Sequence, residues 1–135
     1  MSFEIVAKSR RGRTERPDVR LGRSGVMTIP KNVLKVWYDD GIYTSMEDVP
    51  TVRILVDRDQ KCMAFDPIAI GDYDSELDRK LSGGKEYYQH RGTNVIAVLA
   101  NMNISLSAIP ITDSSVVLPH RMDGNRLIVD LSELG

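Results

Sequence analysis

Side chains able to do covalent or metal chemistry are spread thinly along this 135-residue chain. His90 and His120 stand thirty residues apart, and no carboxylate is spaced to orient either ring, so neither a metal pair nor an acid–base pair is expected. Cys62 is the single cysteine. That excludes an intrachain disulfide and a cysteine-built zinc site, and its place beside Met63 suits a small apolar residue better than a nucleophile. Asp57, Asp59, Asp72 and Asp74 alternate as calcium ligands do, yet neither pair leads to the required Gly and distal Glu. Gly83-Gly84-Lys85 lacks the earlier Gly and the following Ser or Thr of a phosphate loop. No enzyme, cofactor or metal is therefore expected.

One chemistry is concentrated, the binding of anions. Residues 1–37 hold nine cations, Lys8, Arg10, Arg11, Arg13, Arg16, Arg20, Arg23, Lys31 and Lys35, against Glu4, Glu15 and Asp18. This segment carries +6 and the remaining 98 residues carry −7, although the whole chain is at −1. A polyanion meets that end as a concentrated positive field, which makes duplex DNA the expected partner and a solvated loop or an acidic protein partner the alternatives. Phe3 is the only aromatic residue before Trp37, so a single-strand binder that stacks bases is disfavoured.

The elements that must position these cations can be read from the pattern. With 41% hydrophobic and 27% charged residues, the chain is expected to form one globular domain over residues 1–135. Its core is expected to draw on Val52, Ile54, Val56, Val95, Val98, Leu99, Leu127 and Val129. No apolar run approaches the length of a membrane helix, and residues 1–8 lack the apolar stretch of a signal peptide, so a cytoplasmic protein is expected.

Alternation predicts strands over residues 3–7 and 19–29, the second interrupted by Gly22-Arg23-Ser24-Gly25. Pro30 opens a helix whose Val33, Leu34 and Trp37 share one face, with Trp37 a core or dimer-interface residue, and Asp39-Asp40-Gly41 ends it. Val52, Ile54 and Val56 begin a hairpin that turns at residues 57–61 and returns through Cys62-Met63-Ala64-Phe65. Residues 68–84 read as an acidic connector containing a short helix over 75–81.

The second half reads as a repeat of the first, with a strand at 85–89, a helix at 94–102 and strands at 116–118 and 127–131 around the Asp123-Gly124 turn. An offset of 65 carries Val33-Leu34 onto Val98-Leu99, and an offset of 64 carries Val52 onto Val116 and Asp59 onto Asp123. The expected class is α+β and strand-rich, with pseudo-repeats at 19–67 and 85–131.

Thr28-Ile29-Pro30-Lys31-Asn32-Val33-Leu34-Lys35 resembles the strand-into-helix signature of the AbrB, SpoVT and MazE swapped-hairpin DNA-binding family. The order of strand, short helix and hairpin is similar to that family over residues 19–67. Two such units in one chain resemble its tandem, MraZ-like members. The resemblance implies that two units interleave into a small β-barrel, within one chain or as a homodimer. It also implies that cations before and at the start of the helix meet DNA, which here are Arg20, Arg23, Lys31 and Lys35. On this reading Arg20 and Arg23 reach base edges, while Lys31 and Lys35 hold phosphates. Val26 follows Gly25 where the family usually has Arg, and Asp39-Asp40-Gly41 stands where it has Gly-Asp. The competing expectation is a protein-interaction module, antitoxin-like or a mobile-element accessory protein, that binds an acidic partner through the Arg-rich segment.

Overall fold

The structure, a computed structural model, describes residues 18–44, 48–83, 91–109 and 115–134. Arg10, Arg11, Arg13 and Arg16, and the strands predicted at 3–7 and 85–89, lie outside the described residues.

Strands β1 (Val19–Gly22) and β2 (Val26–Ile29) form an antiparallel hairpin closed by a bond from the Gly25 N–H to the Gly22 carbonyl at 3.0 Å. Gly25 has φ +88°, and a Cβ there would lie 2.2 Å from Cγ1 of Ile96. Backbone conformation and close packing thus both call for glycine. Helix α1 (Lys31–Asp39) follows at once, because Pro30 holds the extended conformation of an N-cap and its carbonyl accepts from the Val33 and Leu34 N–H groups. Val33, Leu34, Trp37 and Tyr38 supply the buried face. At its C-terminal end, Gly41 at φ +81° lets the Gly41 and Ile42 N–H groups reach the carbonyls of Tyr38 and Trp37, a Schellman closure.

Next come β3 (Thr51–Asp57) and β4 (Cys62–Ile68), then the short β5 (Asp78–Lys80), β6 (Ser82–Gly83) and β7 (Arg91–Asn94). Helix α2 (Ile96–Asn101) leads to β8 (Ser115–Leu118), β9 (His120–Asp123) and β10 (Arg126–Asp130). One sheet has the order β6-β7-β2-β1-β8 and the other β5-β3-β4-β10-β9, with every pairing antiparallel. The expected strand-rich α+β class is therefore observed. Only Leu81 separates β5 from β6 and only Pro119 separates β8 from β9, so at two corners an edge strand of one sheet continues as an edge strand of the other. A single apolar cluster between the sheets contains Leu21, Met27, Leu34, Trp37, Phe65, Leu99 and Leu127.

An offset of 65 carries β2 onto β7 and the first residue of α1 onto that of α2. It also carries the paired residues Leu55/Ala64, Val56/Met63 and Asp57/Cys62 onto the pairs His120/Val129, Arg121/Ile128 and Met122/Leu127. The hairpins share the offset of the helices, which corrects the 64 expected from sequence. Contacts cross between the halves: the Trp37 indole N–H donates to the Asn125 carbonyl at 2.8 Å, and Arg58 in the first hairpin turn donates to the Asn101 side chain on α2.

Several expectations are overturned. The predicted helix at 75–81 is instead a turn followed by β5, because Asp78 pairs with Arg53 across the sheet and tertiary pairing outweighs local helix preference. Residues 68–84 are accordingly more than a connector, since β5 and β6 belong to the two sheets. Strand β4 runs through Asp66-Pro67 to Ile68; the β10 pairings end at Phe65, so the missing N–H of Pro67 interrupts no ladder on that side. Val56, expected in the core, is 39% exposed.

Candidate nucleic-acid interface

Alternation along β1 sends Val19 and Leu21 into the core and Arg20 outward, where it stands opposite Thr28 on β2 and Val117 on β8. One guanidinium nitrogen lies 3.4 Å from the Ser115 hydroxyl and another 3.9 Å from the Asp18 carboxylate. Among the described residues, the buried Arg20 Nε has no acceptor. A buried donor without a partner costs roughly 1–3 kcal/mol, so Arg20 is held in place without being fully satisfied.

Arg23 is exposed in the turn between β1 and β2. That turn is fixed against the second half, since the Val95 N–H donates to the Gly25 carbonyl at 2.8 Å and the Asn94 amide to the Ser24 carbonyl at 3.3 Å. Lys31 and Lys35 are exposed on α1, four residues apart and thus on one face. The fold therefore brings Arg20 and Arg23 onto one hairpin. It places Lys31 and Lys35 beyond the other end of β2, about 13 Å from the turn at the rise of an extended chain.

The surrounding charge separates the two sheets. Strands of the first sheet contain Arg20 and Arg91 and no Asp or Glu. Those of the second contain Arg53, Arg79, Lys80, Arg121 and Arg126 against Asp57, Asp66, Asp78, Asp123 and Asp130. Many of these are already matched: Arg53 grips Asp78 with bonds of 2.7 and 3.2 Å, and Arg126 grips Asp66 with bonds of 2.7 and 2.9 Å. The Arg53 guanidinium holds the Asp78 carboxyl below its ordinary range, with burial opposing and the Asp74 N–H assisting.

Among the described residues there is no group of three or more His, Cys, Asp or Glu able to hold a metal ion. Burial, helped by nearby Asp57, pushes the Cys62 thiol up, away from the thiolate a nucleophile needs. Sequence reasoning missed Thr28, Ser115 and Val117 as neighbours of Arg20. Only the alternation of β2 was available to place Thr28, and nothing local announces that β8 lies beside β1. The expected patch also has an interruption and an apolar flank, as Asp18 approaches Arg20 and Val117 is 43% exposed. No family model, curated protein or solved structure matches this chain.

Proposed function

We propose that this protein binds duplex DNA through the basic edge of its first half, as a regulator of the swapped-hairpin type. The observation that carries the reading is the first sheet, whose strands present Arg20 with hydroxyl neighbours and contain no carboxylate. Phosphates meet the part of the Arg20 guanidinium that reaches the surface, its side chain being 25% exposed, and Arg23, Lys31 and Lys35 extend the interface along the hairpin and α1. Arg10, Arg11, Arg13 and Arg16 hold further phosphates from the segment before β1. The common offset of 65 supports a tandem of two related units, and the bonds from Trp37 to Asn125 and from Arg58 to Asn101 support their interleaving, since each hairpin turn reaches the other unit's helix. On this reading the two units complete one barrel within the chain.

The second reading, an acidic protein partner, is favoured by Asp18 beside Arg20 and by exposed Val117 next to it. A mobility-shift titration with random-sequence duplex across a salt series separates the two. Replacing Arg20 and Arg23 together by Ala lowers the slope of log affinity against log salt by about 0.9 for each phosphate that is no longer neutralised. An unchanged slope removes both residues from the interface. Absence of duplex binding at about 50 mM salt transfers the site to the protein-partner reading.

A further inference from the structure

Both helices begin two residues after a strand of the first sheet ends, so their first and fifth residues hold corresponding positions: Lys31 and Lys35 on α1, Ile96 and Ala100 on α2. Where the first helix shows two cations, the second shows apolar groups. Ile96, 43% exposed, and Ala100 line a groove of about 840 Å³ whose other apolar walls are Ile104, Leu106 and Ile109. Among the described residues, Arg23 is the only charged one in the lining, carried there by the turn that Gly25 seats against Ile96. Asn103, Ser105 and Ser107 complete the lining, and a trough of apolar walls with polar rims and a single cation is complementary to a segment that is apolar along one side and carries carboxylates.

We propose that this groove is a docking site for an acidic amphipathic peptide segment of a partner protein, with apolar side chains entering between Ile96 and Leu106 and a carboxylate meeting Arg23. This goes beyond duplex binding: the apolar walls belong to the second half, while Arg23 of the first half borders both the groove and the proposed duplex surface.

The test uses the full chain and a labelled dodecapeptide with leucines at helical spacing and glutamates elsewhere, followed by fluorescence anisotropy and by amide shifts. Saturable binding is expected, with shifts concentrated between Ile96 and Ile109. Replacing the glutamates by glutamine should weaken binding about two- to fivefold, the range of one exposed charge pair, and lysines should weaken it further. Ala100→Trp and Ser107→Trp, which fill the groove from exposed positions on different parts of its wall, should each lower peptide affinity at least about tenfold, roughly 1.4 kcal/mol, while duplex binding holds. Lack of saturable binding, equal binding of the three peptides, or undiminished binding by both folded tryptophan variants overturns the assignment. A chain that binds the peptide and no duplex sinks the duplex reading alone.

Discussion

The two sheets solve the placement of charge in opposite ways. Across the second sheet, strand register lines up Asp78, Arg53 and Asp66, and Arg126 closes on Asp66 from the neighbouring strand, so the guanidiniums of Arg53 and Arg126 are each held by a carboxylate of the same molecule. Across the first, Arg20 is flanked by Thr28 and Val117, and among the described residues its nearest carboxylate is at 3.9 Å and its buried Nε has no acceptor. Arginines on a surface are ordinary; what distinguishes these is whether the fold supplies their partners. The second sheet pairs Arg53 and Arg126 with carboxylates across its strands, whereas the first sets Arg20 among hydroxyl and apolar neighbours and Arg91 against the Leu81 carbonyl.

A carboxylate introduced into the first sheet should have the largest effect. Val117→Glu places an acid opposite Arg20 at an exposed position, and duplex affinity at low salt should drop about tenfold or more, with the thermal midpoint little changed. Retained affinity in a mobility-shift titration would show that Arg20 does not face the duplex.

A second variant removes the best-satisfied acid from the other sheet. The Asp78 side chain has no exposed surface and accepts from both Arg53 and the Asp74 N–H, so Asp78→Asn should cost on the order of 1–2 kcal/mol in urea unfolding. Its carboxyl lies lower in the folded chain than in the unfolded one, so the stability it adds is present above the unfolded pKa of about 3.9. That contribution is lost as pH falls from about 4 through the lowered folded value. The wild type should therefore lose stability over this window more steeply than Asp78→Asn, and parallel curves would deny Asp78 this role.

The smallest effect is expected at Arg126, whose side chain is 45% exposed beside Asp66. Arg126→Ala should move the urea midpoint much less than Asp78→Asn, because exposed pairs are screened and offset by lost side-chain freedom. A shift of equal size would mean that the whole charged row acts as one network.

Much of the first half was legible from sequence because its signals are local. Ile29-Pro30 marks the passage from strand to helix, Asp39-Asp40-Gly41 holds the left-handed glycine that closes α1, and Val19, Leu21, Met27 and Ile29 alternate visibly. The second hairpin was equally readable at Gly124, whose φ is +61°. What could not be read depends on partners far along the chain. Strand β5 has no apolar alternation and exists through Arg53, while β9 was hidden by Pro119, which reads as a break and is in fact a corner. For the candidate site, the cations were legible as a class. Which arginine the fold would satisfy internally was not, because that is decided by register between distant strands.

The corners at Leu81 and Pro119 have a consequence for how the molecule comes apart. Each edge strand of one sheet is tied after a single residue to an edge strand of the other, and β1 reaches β8 across most of the chain length. Neither sheet can fray from its rim without pulling on its neighbour, so unfolding should be a cooperative event in which both lose protection together. The same ties demand long loop closures before the pairings are rewarded, which makes folding slow for a chain of this size.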